Sequence, residues 1–155
     1  MVYTRRRMTL CLCLIGLMLA VIWGNSLLNA NLSSAISRWV GSLINNVHSD
    51  IDATADEQSH GILRKIGHIT EFAILGTLVC WLAGMRKKER WQLFSLPLLF
   101  CLAVACVDET IQLFVPGRAG RLTDVGIDTL GAALGIVLIT LIQTMKTKFL
   151  EETKQ

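Results

Sequence analysis

The chain has 155 residues, a length suited to one domain; 52% of them are hydrophobic and only 17% charged, with a mean hydropathy of +0.51 and a net charge of +3. A soluble domain of this size carries roughly a quarter charged residues, so the composition excludes an ordinary soluble core and points to lipid. The five cysteines (Cys11, Cys13, Cys80, Cys101, Cys106) all fall inside apolar runs, lack zinc-like spacing, and are expected as small buried apolar side chains rather than as a disulfide framework.

The first expected element spans about residues 8–29. No charge occurs from residue 8 to residue 37, and 10–28 is the most apolar part, long enough to cross about 30 Å of hydrocarbon. Arg5, Arg6 and Arg7 precede it as in a signal peptide. The apolar stretch exceeds the usual 7–15 residues and no A-x-A site closes it, so it is read as a retained helix. Next, Ile36, Val40, Leu43, Ile44 and Val47 recur at helical spacing, which predicts an amphipathic segment over 31–47 lying on the outer leaflet. The polar stretch 48–61 reads as a mobile linker.

The second span covers about 66–84. At its start Lys65 and Glu71 flank His68 at about 60° on either side, so the three share one helix face. Glu71 sits inside the span, where a carboxylate needs a partner; His68, Lys65 and Arg118 are the expected ones. The third span covers 91–114: the run 91–107 is uncharged, and then come Asp108, Glu109 and Gln112, with Pro116 expected to stop the helix. The fourth covers 124–145. It opens with Asp124 and Asp128 at i and i+4, and Gly131 and Gly135 continue the same stripe. A Gly-x-x-x-Gly stripe lets another helix approach closely, so the two aspartates are expected to face the bundle.

The fold class predicted is an all-α integral membrane protein, a single domain over 1–155 with four transmembrane helices and an external amphipathic segment after the first. Ten of the fifteen basic residues fall in three clusters: Arg5–Arg7, the Arg86–Arg90 link, and Lys146, Lys148 and Lys154. By the positive-inside rule these clusters, and both termini, are cytoplasmic. The acidic groups, with Asn25 and Ser26 near the end of the first span, then gather at the outer face as one polar nest.

That string of residues resembles the VanZ-like family of small bacterial membrane proteins, named for one associated with resistance to the glycopeptide teicoplanin. The resemblance rests on Lys65, His68, Glu71, Phe72 and Leu75-Gly76, then Asp108-Glu109, Gln112, Phe114, Pro116-Gly117-Arg118, Asp124, Asp128, Gly131 and Gly135. It covers about 65–135 together with a compatible first helix carrying Asn25-Ser26. Phe72 stands where the family often has Tyr, and Asp128 where it often has Asn. The resemblance implies an envelope protein of the bacterial plasma membrane that alters teicoplanin susceptibility, and it implies no defined reaction.

Several chemistries fit the nest. It can be a hydrogen-bond network between helices, each contact contributing about 0.6 kcal/mol, though amides and hydroxyls would serve at lower desolvation cost. His68, Glu71, Asp108 and Glu109 are the candidate acid–base residues. Lys65, Gln112, Arg118, Asp124, Asp128, Asn25 and Ser26 are the candidate binding residues, and Arg118, with Arg121 behind it, suits phosphate. Ser26 is the nearest thing to a nucleophile, but a helix hydroxyl commonly bonds its own backbone. One histidine among carboxylates suits a hard or borderline divalent ion, yet no single helix offers a tight ligand pair, so no metal and no cofactor is assigned. The function expected is binding of, or action on, a cell-surface lipid or lipid-linked polymer precursor at the outer leaflet. The alternatives are an enzyme acting on a phosphate-linked lipid and a small transporter or scaffold. No nucleic-acid partner is expected.

Overall fold

In the computed structural model each of the four apolar runs is one helix: α1 Val2–Leu27, α2 Ala55–Met85, α3 Arg90–Leu113 and α4 Leu122–Glu152. The structure describes residues 2–27, 55–85 and 90–152, with side chains over 5–27, 64–85, 92–146 and at 149. Among the described residues there is no strand. The predicted amphipathic segment over 31–47 lies outside them. Each helix contains a stretch long and apolar enough to cross a membrane: Arg5–Leu27, Arg64–Met85, Gln92–Leu113 and Leu122–Lys146. The chain is a multi-pass membrane protein.

The helices run alternately up and down. Cys11 on α1 donates its thiol to the Leu78 carbonyl near the far end of α2, while Asn25 reaches Glu71 near the start. The ends of α1 and α3 therefore meet the spanning starts of α2 and α4 at one end of the bundle. α2 is longer than the apolar run required: it begins at Ala55 rather than near residue 66. The reason is local: Ala55, Glu57 and Gln58 are good helix formers and the Asp56 carboxylate suits a first turn, so the polar linker winds into helix before the span begins.

A single buried stripe on each helix makes the core. It comprises Cys11, Ile15 and Ile22 on α1; Phe72 and Leu75 on α2; Cys101, Val104 and Ala105 on α3; and Val125 and Ala132 on α4. Large apolar side chains such as Leu17, Leu99, Leu134 and Leu138 point outward, as lipid-facing residues must. Cys13 and Cys106 point outward too, against the expectation that all five cysteines are buried. Cys13 lies two residues, about 200°, from the buried Cys11, and Cys106 falls beside the Cys101–Ala105 stripe rather than on it.

α2 and α4 make the most extensive contact of any pair, and small residues allow it. A Cβ on Gly131 would stand 2.6 Å from the Ile69 carbonyl, and one on Gly135 would strike the Ala73 carbonyl; Gly76 meets the Ala132 backbone in the same way. The Thr77 hydroxyl donates to the Ala73 carbonyl of its own helix at 2.8 Å and shares that hydrogen across the seam with the Gly135 carbonyl at 3.1 Å. α3 carries a buried Pro97. Proline has no N–H, which frees the Leu93 carbonyl four residues earlier. Cys80 on α2 donates its thiol to that carbonyl at 3.3 Å. This half of the bundle otherwise holds an apolar crevice of about 350 Å³ between α3 and α4.

Candidate functional site

The buried stripes turn polar at one end without leaving register. On α1 the series Cys11, Ile15, Ile22 continues to Ser26; on α3 Cys101, Ala105 continues to Asp108 and Gln112; on α4 Asp128 lies between Val125 and Ala132. Helical spacing therefore aims these side chains at the core instead of at lipid. Ser26, Asp108, Glu109, Gln112 and Asp128 are all buried.

Gln112 is the hub. Its Nε2 donates to Ser26 Oγ at 3.2 Å, to Asp108 Oδ2 at 3.0 Å and to Glu109 Oε1 at 3.3 Å. An amide nitrogen has two hydrogens, so at least one is shared between acceptors. Ser26 does not return its hydroxyl to its own backbone. It crosses to Asp108 Oδ1 at 2.7 Å, which ties α1 to α3. Glu71 has a partner the sequence did not single out: its Oε1 accepts from Asn25 Nδ2 at 2.6 Å. A neutral amide supports a half-buried carboxylate without placing a second charge in the bundle.

The connection between α3 and α4 is built on the same groups. Gly117 takes a positive φ of 78°, the conformation that a residue after Pro116 needs to turn the chain here and that favours glycine. Gly120 packs so closely on the last turn of α3 that a Cβ would strike the Glu109 carbonyl. The Arg121 backbone N–H then donates to Glu109 Oε2 at 2.7 Å, and the Arg121 carbonyl accepts the first N–H groups of α4, from Asp124 and Val125. Arg118 reaches across to α1, where its Nη2 donates to the Asn25 carbonyl at 2.8 Å. That carbonyl is in the last turn of α1, where main-chain acceptors lack helical partners and a cation is favoured. Burial, and then the nearby Arg64 charge, lowers the Arg118 guanidinium from its ordinary value; an arginine stays a cation under such a shift.

Behind this network His68, Asp108 and Asp128 bring one ligand-type atom each to within 4.8 Å of the other two. His68 Nδ1 stands 3.9 Å from Asp128 Oδ1. A narrow cleft leads to them, lined by Arg64, Lys65, His68, Glu109, Gln112, Asp124, Ile127 and Asp128, with room for about one water-sized sphere, about 10 Å³. Lys65 and Arg121 are exposed and Asp124 is half-buried. Every candidate residue thus lies at one end, although Asn25, Ser26, Glu71, Asp108 and Arg118 do not line the cleft. Arg64 does, and it was not among the sequence candidates. It lies four residues before His68, on the same helix face, and that spacing is the signal that could have found it.

The VanZ/LLP1 family model matches residues 8–143, from the first span to the fourth. The chain belongs to the VanZ/LLP1 family. No curated protein and no solved structure matches it. The family match runs well beyond the 65–135 region that carried the resemblance, and it takes in α1 with Asn25 and Ser26. In this VanZ/LLP1 chain the polar end offers basic groups at its mouth, carboxylates and an imidazole within, and a hydrogen-bond hub that ties α1 to α3.

Proposed function

We propose that this VanZ/LLP1 protein binds, or acts on, a phosphate-bearing lipid or lipid-linked polymer precursor at the outer leaflet of the bacterial plasma membrane, and so alters susceptibility to teicoplanin. One observation carries the reading: a basic rim stands over a buried polar nest at membrane depth. Arg64 and Lys65 line the cleft, and Arg118 stands in the connection between α3 and α4 at the same end. Guanidinium groups favour anions, and phosphate matches their planar fork. Phe114 and Leu122, 82% and 90% exposed, border the same connection. Apolar side chains beside a basic rim suit a ligand that presents a headgroup and a tail together. The cleft interior is too small for a headgroup, so the phosphate rests on the rim while the groups beneath it position or protonate it.

The outward direction of the nest follows from the basic clusters at the opposite ends of the spans. In a cysteine-free background, a cysteine replacing Gln58 is expected to react with an impermeant maleimide in intact cells, and one replacing Glu89 is not. Labelling of both, or the reverse pattern, would sink the orientation.

The function itself is tested by susceptibility and stability measured side by side. Arg118→Lys keeps the charge and loses the fork, while His68→Gln and Asp108→Asn keep size and remove a titratable group. Each variant is expected to stay folded and abundant in the membrane while losing its effect on teicoplanin susceptibility. If susceptibility changes only as far as thermal stability falls, the nest is scaffold and the proposal fails. Lipid co-purifying with the wild type, identified by mass spectrometry and depleted in Arg118→Lys, is the direct readout of the ligand.

A further inference from the structure

His68, Asp108 and Asp128 come from α2, α3 and α4, and protein hydrogen bonds account for only one of them. Asp108 accepts from Ser26 and Gln112, and each of its oxygens keeps a further lone pair. Asp128 is 1% exposed, yet neither of its oxygens has a hydrogen-bond partner, and His68 Nδ1 has none either. Buried polar atoms are almost always paired, so three unpaired atoms around one point call for a ligand. The separation of 3.9 Å between His68 Nδ1 and Asp128 Oδ1 is too long for a hydrogen bond. It suits two atoms on one metal ion, because bonds of about 2.1 Å place such atoms roughly 3.0–4.2 Å apart at angles from 90° to 180°. The cleft that reaches His68 and Asp128 has about 10 Å³ of room, enough for a single ion or water and nothing larger.

We propose that His68, Asp108 and Asp128 bind one divalent transition-metal ion of the Zn²⁺ or Mn²⁺ kind. An imidazole beside two carboxylates favours these ions over Ca²⁺ or Mg²⁺, which take oxygen ligands. Ser26 and Gln112 orient Asp108 from behind, as hydrogen-bond donors to metal-binding carboxylates do. Three protein ligands would leave further positions for water or for a ligand that enters by the cleft. The metal site rests on these atoms alone, so it can stand or fall separately from the lipid reading.

The test uses the full-length protein purified in detergent, stripped with a chelator, incubated with ZnCl₂ or MnCl₂ and desalted. Bound metal is counted by inductively coupled plasma mass spectrometry, and thermal unfolding is followed with and without metal. The wild type is expected to hold about one ion per chain and to gain on the order of 5 °C in Tm at saturating metal. Asp128→Asn and His68→Gln are each expected to lose the ion and the gain. Without metal, Asp128→Asn is expected to melt at or above the wild type, because it replaces a buried carboxyl that no protein group supports by a neutral amide of the same size; loss of metal then cannot be put down to misfolding. Substoichiometric metal in the wild type with both ions, or a full equivalent retained by Asp128→Asn, overturns the site.

Discussion

Gly135→Val is expected to melt roughly 6–12 °C below the wild type in detergent, with a matching fall in extracted yield. The added Cβ meets the Ala73 carbonyl, and it comes within 2.9 Å of Thr77 Oγ1. A flexible side chain could move aside, but a helix backbone moves only with the whole helix. α2 and α4 must therefore separate along their seam, which also stretches the Thr77–Gly135 bond of 3.1 Å. Overpacking usually costs about 1–3 kcal/mol, and contact with backbone puts this case at or above the top of that range. Gly126 is the matched control, since a Cβ there meets nothing within 4 Å. Gly126→Ala is expected to be neutral or stabilising by up to about 1 kcal/mol, because alanine is the better helix former. Equal melting of Gly135→Val and the wild type would show that the two helices do not pack this closely.

Gln112→Leu should be nearly as damaging, for an electrostatic reason. Leucine fills similar space but leaves Asp108 Oδ2 and Glu109 Oε1 without the donor they share, and Ser26 Oγ without the bond it accepts. Leaving a buried charged group unsatisfied costs about 3 kcal/mol, or a Tm fall of about 6–12 °C in a chain of this size, measured in chelator-containing buffer. Gln112→Glu should be worse, since it sets a third carboxylate beside the two. Asp108→Asn placed in the Gln112→Leu background should recover part of the loss, because the neutral amide needs less support. A Gln112→Leu protein within a degree or two of the wild type, with no coupling to Asp108→Asn, would mean that water rather than Gln112 satisfies these carboxylates.

Length and hydropathy along the chain were enough to find the four spans, because crossing lipid is a local requirement on some twenty residues at a time. Helical spacing likewise placed Asp108 with Gln112, and Asp128 with Gly131 and Gly135, on inward faces. The start of α2 at Ala55 was missed because the polar Ala-Asp-Glu-Gln stretch carries helix propensity but no apolar periodicity. Cys13 and Cys106 were read as buried because hydrophobicity does not separate a lipid-facing side from a core-facing one in a helix that is apolar all round.

What the sequence determined by itself, then, is the set of helices, their polar end and the small-residue stripe, all of which follow from spacing within one segment. Partner choice was decided only by the tertiary structure. Asn25 supports Glu71 from α1, Ser26 reaches Asp108 across 82 residues of chain, and Arg118 caps the end of α1. Periodicity tells which face a residue occupies, but not the rotation and axial offset of one helix against the next. Those are set where backbones touch, at Gly131 against Ile69 and at Gly135 against Ala73. The same offset brings His68 and Asp128 to 3.9 Å, with Asp108 beside them. No pattern within one helix encodes that distance, because it depends on how closely α2 and α4 approach along a seam that neither helix forms alone.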